Sequence, residues 1–169
     1  MVLQRFLTAI LIAGALASGA LAQGTQVAFG GLRQDTTLPV EISADQLEIN
    51  QAEGTILFSG NVLIGQGEMR LSAARVKAEY TTPEGEETGR ISKIYASGGV
   101  TLVSGAEAAE AKEAVYSIDE GIVIMTGEVI LTQGRNALAA DRMVVNLREG
   151  IANLEGRVRT IIFTGQGGN

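Results

Sequence analysis

Four Gly-x-Val tripeptides recur at matched distances from four alanines, and no other feature of the chain constrains its fold so tightly. The tripeptides are Gly60-Asn61-Val62, Gly98-Gly99-Val100, Gly127-Glu128-Val129 and Gly156-Arg157-Val158; the alanines are Ala44, Ala73, Ala111 and Ala140. Three of the alanine-to-glycine spacings are 16 residues; the second is 25, because a polar loop from Thr82 to Gly89 intervenes. The repeat is about 29 residues long. A fixed period of that size signals stacked units, none of which can bury its apolar face alone. Such stacks present long continuous surfaces in place of a compact catalytic pocket.

Within each unit apolar and polar residues alternate, the pattern of a half-buried strand. Leu47 and Ile49 lie at +3 and +5 from Ala44, as Val76 and Ala78 do from Ala73. Ile56 and Phe58 precede Gly60 as Ile94 and Ala96 precede Gly98. Val62 and Ile64 match Val100 and Leu102, and Leu71 leads into Ala73 in the same phase. The third unit supplies Tyr116, Met125, Val129 and Leu131, and the fourth Met143, Val145 and Leu154. Glycine is abundant (22 residues) and falls between apolar runs, where tight turns are needed. Strands of four to seven residues, each Gly-x-Val opening one, are therefore expected. The alanine-rich stretch from Gly105 to Ala114 has helical composition. The repeat register nevertheless places Ala109 and Ala111 where Leu71 and Ala73 fall, which makes it a strand.

The expected fold is all-β and antiparallel, with one apolar and one wet face. Two such sheets either close into a sandwich or jelly roll, or splay to leave an apolar groove. The inward phase comprises the residues named above, from Leu47 to Leu154, and periodicity alone reads this stripe as core.

The ends of the chain read differently. Arg5, the apolar run from Phe6 to Ala17 and the small-x-small site Ala20-Leu21-Ala22 form a Sec-type signal peptide, residues 1–22. The run is short for a bilayer span, which needs about 20 residues; an uncleaved anchor is the alternative. Residues 23–38 lack periodicity and read as a flexible leader, 39–164 as the β domain, and 165–169 as a disordered tail. With no cysteine, an exported chain must be stabilised by burial and strand pairing alone. The net charge of −6, more negative still once Arg5 is removed, opposes nucleic-acid binding.

Histidine and cysteine are both absent, which removes imidazole and thiolate catalysis and the usual zinc ligands. No phosphate-binding glycine loop is present. Carboxylate pairs are the remaining catalytic option, as in glycoside hydrolysis. Asp45, Glu48, Glu110, Asp119, Glu120 and Asp141 are the candidates, all expected in turns or on the wet face. Asp45 and Asp141 each follow a repeat alanine, which suits a structural role better than catalysis. No cofactor is implied and no metal motif is present.

The stretch from Gly60 to Tyr80 carries a Gly-Asn-Val, a Gln66-Gly67, then Leu71-Ser72-Ala73 and a closing aromatic. It resembles the OstA-like (LptA) family of periplasmic lipopolysaccharide-transport proteins, and Pro39 to Ile49 resembles that family's opening strand pair. The resemblance spans roughly Pro39 to Phe163. It implies an open, twisted β-jelly roll of about four repeats whose apolar interior shields lipid A acyl chains. It also implies a non-enzymatic periplasmic carrier that joins copies of itself, an inner-membrane-anchored partner and an outer-membrane translocon end to end through terminal strands. A membrane-anchored branch of the same fold, a lipid-free structural β-solenoid and a carboxylate-dependent glycan enzyme remain as alternatives.

Overall fold

The computed structural model describes residues 25–28 (as backbone), 32–81 and 89–163. The expected signal peptide, the core of the polar loop and the expected tail lie outside the described residues. Eleven strands are present: β1 (Thr25–Ala28), β2 (Glu41–Ser43), β3 (Gln46–Asn50), β4 (Thr55–Gln66), β5 (Met69–Thr81), β6 (Arg90–Ser104), β7 (Glu107–Ser117), β8 (Ile122–Gln133), β9 (Asn136–Asn146), β10 (Ile151–Glu155) and β11 (Arg159–Ile161). All belong to one antiparallel sheet in the order β1-β10-β9-β8-β7-β6-β5-β4-β2, with β3 also on β4 and β11 also on β9. The expected all-β class is observed, and the alanine-rich segment is strand β7 with Ala109 and Ala111 inward.

The strands are longer than expected. β4 to β9 run for 11 to 15 residues in an up-and-down meander. The Gly-x-Val units do not open strands; three of them lie in mid-strand. Between β4 and β5 the pairs Ser59–Arg75 and Val62–Ala73 leave Gly60 and Asn61 opposite Ala74 alone. Gly98 and Gly99 stand likewise opposite Lys112, and Gly127 and Glu128 opposite Asp141. Two residues facing one is a β-bulge, which bends the strand. Both bulged residues have positive φ: 78° and 46° at Gly60 and Asn61, 85° and 54° at Gly127 and Glu128. A turn and a bulge ask the same of glycine, so sequence alone confuses them.

Two of the bulges, and the break at the fourth unit, are clamped by the residue after the repeat alanine; at Gly98-Gly99 that residue is Ala74, which has no polar side chain. Asn61 Nδ2 donates to Asp45 Oδ2 at 2.8 Å, Lys112 Nζ pairs with Glu128 Oε2 at 2.7 Å, and Arg157 Nη2 with Asp141 Oδ1 at 2.6 Å. The backbone N–H of Asp45 also donates to Gly60 O, and that of Asp141 to Gly156 O. At the fourth unit the break is complete: β10 and β11 pair with the two halves of β9, on either side of Gly156-Arg157. β2 and β3 pair with the two halves of β4 in the same way, on either side of Ala44-Asp45.

The bulges lie at one level across the whole sheet and form a fold line. One layer holds β2, the C-terminal halves of β4, β6 and β8, the N-terminal halves of β5, β7 and β9, and β11. The other holds β3, the complementary halves, β10 and β1. Residues of a single face are buried in both halves, from Val62 and Leu131 to Val76 and Met143. The halves therefore cover one another. Tyr116 Oη donates to Gln66 Oε1 at 2.5 Å, joining β7 of one layer to β4 of the other, although the two strands are not neighbours in the sheet.

Candidate functional site

The candidate site is the apolar slot between the two layers. Apolar rows cross the sheet from strand to strand. One runs Leu47, Phe58, Val76, Ala96, Ala114, Met125, Met143, Leu154 through successive register pairs. A parallel row runs Ile49, Ile56, Ala78, Ile94, Tyr116, Val123, Val145, Ala152. In the other layer Val62, Ile64, Leu71, Val100, Leu102, Val129 and Leu131 face them. No charged side chain lies in these rows, so the slot is a surface that an aliphatic chain wets as readily as the protein does.

Of the expected inward residues, Phe58, Val62, Ile64, Leu71, Val76, Ile94, Val100, Leu102, Tyr116, Met125, Val129, Leu131, Met143, Val145 and Leu154 are buried, and Ile56 is half-buried. Leu47 and Ile49 share the phase but are 57% and 56% exposed. They stand on β3, where the facing layer offers only the three-residue β2. The slot is thus open at this end.

Three features escaped sequence reasoning. Leu147, fully buried, continues the alternation of Met143 and Val145 and was legible in principle. Leu32, also fully buried, lies in an aperiodic stretch and gave no signal. Residues 32–38, expected within a flexible leader, are tied to both layers, and β1 upstream pairs with β10. Gln34 Nε2 donates to Ser104 Oγ at 2.7 Å, and the Gln34 N–H to Leu147 O at 2.7 Å. Gln66 Nε2 donates to the carbonyls of Thr36 and Leu38, and Arg148 Nε to Thr36 Oγ1.

The rim of the slot beneath this segment is polar. Gln66, Ser104, Glu107 and Gln133 close the inward rows of the first layer. Glu107 is 5% exposed; its Oε1 accepts from Gln133 Nε2 at 2.8 Å, while Oε2 has no partner among the described residues. Burial pushes the Tyr116 phenol up to about 12, against the lowering effect of its bond with Gln66 and of the Arg148 charge.

The candidate carboxylates are spread over β3, β7, β9 and the turns between strands. Asp45 and Asp141 clamp bulges, Asp119 sits 3.7 Å from Arg90, and Glu48, Glu110 and Glu120 are exposed. Arg157 beside Asp141 holds its carboxyl below the usual range. Among the described residues no group of three acidic, histidine or cysteine side chains could hold a metal ion.

Comparison with known proteins places this architecture. Over 131 residues the chain is 32% identical to an uncharacterized protein of Rhizobium meliloti, covering 73% of this chain and 70% of that one. Its fold is similar to the crystal structure of LptH, the LptA-homologous periplasmic component of the lipopolysaccharide transport device of Pseudomonas aeruginosa. The TM-score is 0.67 at 16% identity, over 77% of this chain and 99% of LptH. Residues 41–151, from β2 to the start of β10 and so nearly the whole two-layered sheet, match the family model described as LptA/(LptD N-terminal domain) LPS transport protein, and to that family the chain belongs.

Proposed function

We propose that the chain is a non-enzymatic periplasmic carrier that shields lipopolysaccharide acyl chains in the slot between its layers. It hands them along a bridge of like-folded partners between inner and outer membrane. The observation that carries this reading is the pair of uninterrupted apolar rows running across the strands, open at the β3 end through Leu47 and Ile49. Leaving an acyl segment of about ten methylenes in water costs roughly 8 kcal/mol. A continuous aliphatic surface offsets that cost without a specific pocket. The sugars and phosphates stay in solvent, which suits a chain of net charge −6.

The terminal strands suit end-to-end docking. An unpaired edge is a template for another strand, and β3 and β11 each have one neighbour in the sheet. The exposed Leu47 and Ile49 beside the β3 edge would continue the apolar rows into an adjoining protomer, or into the membrane-anchored partner and the outer-membrane translocon.

A photo-crosslinking residue placed in cells at Ile64 or Leu131, both facing the slot, should capture lipopolysaccharide. The same residue at Leu63 or Ile130, on the outer face, should not. Capture only from the outer positions, or from none, would sink the carrier reading.

A further inference from the structure

We infer that residues 32–38 form a strap that holds the slot shut, and that Leu32 and an acyl chain are alternative occupants of the interior. This inference rests on the carrier reading above.

The segment runs along the mouth of the slot, on the side opposite the fold line. At one end Gln66, the last residue of β4 beside the β4–β5 turn, holds the carbonyls of Thr36 and Leu38. Further along, Gln34 reaches Ser104 at the β6–β7 turn in the first layer and Leu147 at the β9–β10 turn in the second. Arg148 of that second turn holds Thr36 and also donates to the Asp119 carbonyl in the β7–β8 turn. The segment therefore bridges turns that belong to opposite layers. It ends in Leu32, which has no exposed surface and belongs to the core cluster. A leucine inserted from a non-strand segment occupies volume that an aliphatic chain could fill with equal hydrophobic gain.

The ties are of the kind that release. Among the described residues the strap makes one backbone–backbone hydrogen bond to the sheet, from Gln34 to Leu147, whereas β4 to β9 carry full ladders. Elements held by few bonds belong to the low-stability end of local opening. A second observation points the same way. Glu107, register partner of Ser104, keeps a buried carboxylate oxygen at this rim without a partner among the described residues. Water admitted on opening would satisfy it, so closure carries a cost that opening recovers. Layers pinned shut by a displaceable strap also reconcile a buried interior with a carrier's task.

The chain has no cysteine, which makes the test direct. In the full-length protein Gln34→Cys and Ser104→Cys are introduced together and bridged with a short, cleavable bis-maleimide, with a photo-crosslinker at Leu102. The probe is purified lipopolysaccharide. A strap that must open lowers the competent fraction when bridged, so capture should fall about tenfold and recover on cleavage. Equal capture by the bridged and cleaved forms overturns the strap and leaves the carrier reading standing. No capture by either form overturns both. Should the cysteine pair fail to fold, Leu32→Ala serves instead: faster capture than the parent supports the strap, and unchanged or slower capture overturns it.

Discussion

Leu131 and Leu47 occupy the same phase of the repeat, yet one is fully buried and the other 57% exposed. The difference lies in what faces them. In the middle of the meander each long strand crosses the fold line, so every inward residue of one layer meets the other layer. At the N-terminal end the facing layer shrinks to β2, and the rows of Phe58 and Ile56 run out past the cover through Leu47 and Ile49. At the opposite end of that layer Leu154 and Ala152 stay sealed, with β1 paired to β10 beyond them. One apolar surface is thus core in the middle, closed at one end and accessible at the other. Periodicity assigns the face; only topology assigns the cover.

The largest expected effect contrasts those two leucines. Leu131→Asp buries a charge in the sealed middle and should destabilise by about 3–5 kcal/mol, through desolvation without a partner. Leu47→Asp should change stability by less than about 1 kcal/mol while weakening end-to-end association. Urea unfolding followed by circular dichroism, with sedimentation for association, reads both. Equal losses from the two would erase the distinction between middle and end.

Next come the glycines of the fold line against those of the turns. Gly127→Ala places a methyl 2.8 Å from Lys112 Cβ at a φ of 85°, and should cost about 2–3 kcal/mol. Gly105→Ala, at φ 57° with nothing within 4 Å, should cost only the backbone term of about 1 kcal/mol. Thermal unfolding midpoints of the two variants rank them, and the reverse order would mean that the bulges are not what bends the sheet.

Tyr116 reports on the sealed layer contact. Tyr116→Phe strands Gln66 Oε1 inside the slot and should cost about 1–3 kcal/mol at neutral pH. The phenol is raised from 10.0 to about 12 in the fold. Its contribution is therefore fully present below pH 10 and is lost as pH rises from about 10 to 12, by up to about 1.4 kcal/mol per unit. The phenylalanine variant should lack that share of the alkaline loss; identical alkaline limbs would place the phenol in contact with solvent.

Smallest of all is the exposed clamp at the open fold-line edge. Arg157→Ala should return the Asp141 carboxyl toward its ordinary value, since the hydrogen bond with Arg157 is the main cause of its lowering. The stabilisation it brings is present above the ordinary carboxylate range and fades as pH falls through the lowered value. Carbon-detected titration of Asp141 measures the shift; an unmoved titration would leave the clamp without an electrostatic role.

Much of this was legible in residue spacing. The alternation around each alanine fixed the inward phase, and it carried the alanine-rich β7 against its helical composition. The family motif from Gly60 to Tyr80 added the open, twisted β-jelly roll. Strand length was misread because left-handed glycine serves a bulge and a turn alike, and only the register tells them apart. Leu32 was invisible because a single leucine in an aperiodic stretch has no phase. Its burial follows from Gln34, Thr36 and Leu38 meeting partners 28 to 113 residues away in sequence. The exposure of Leu47 and Ile49 was equally hidden, since nothing local records that β2 stops after three residues.

On the proposed reading, acyl chains lie between the layers. Isoleucine methyl spectra of the intact protein test it, because Ile49 marks the open end, Ile64 and Ile94 the sealed middle, and Ile130 the outer face. On addition of lipopolysaccharide the methyls of Ile49, Ile64 and Ile94 should shift together while Ile130 stays in place. Shifts at Ile130 with Ile64 and Ile94 unmoved would put the lipid outside the slot and contradict the account.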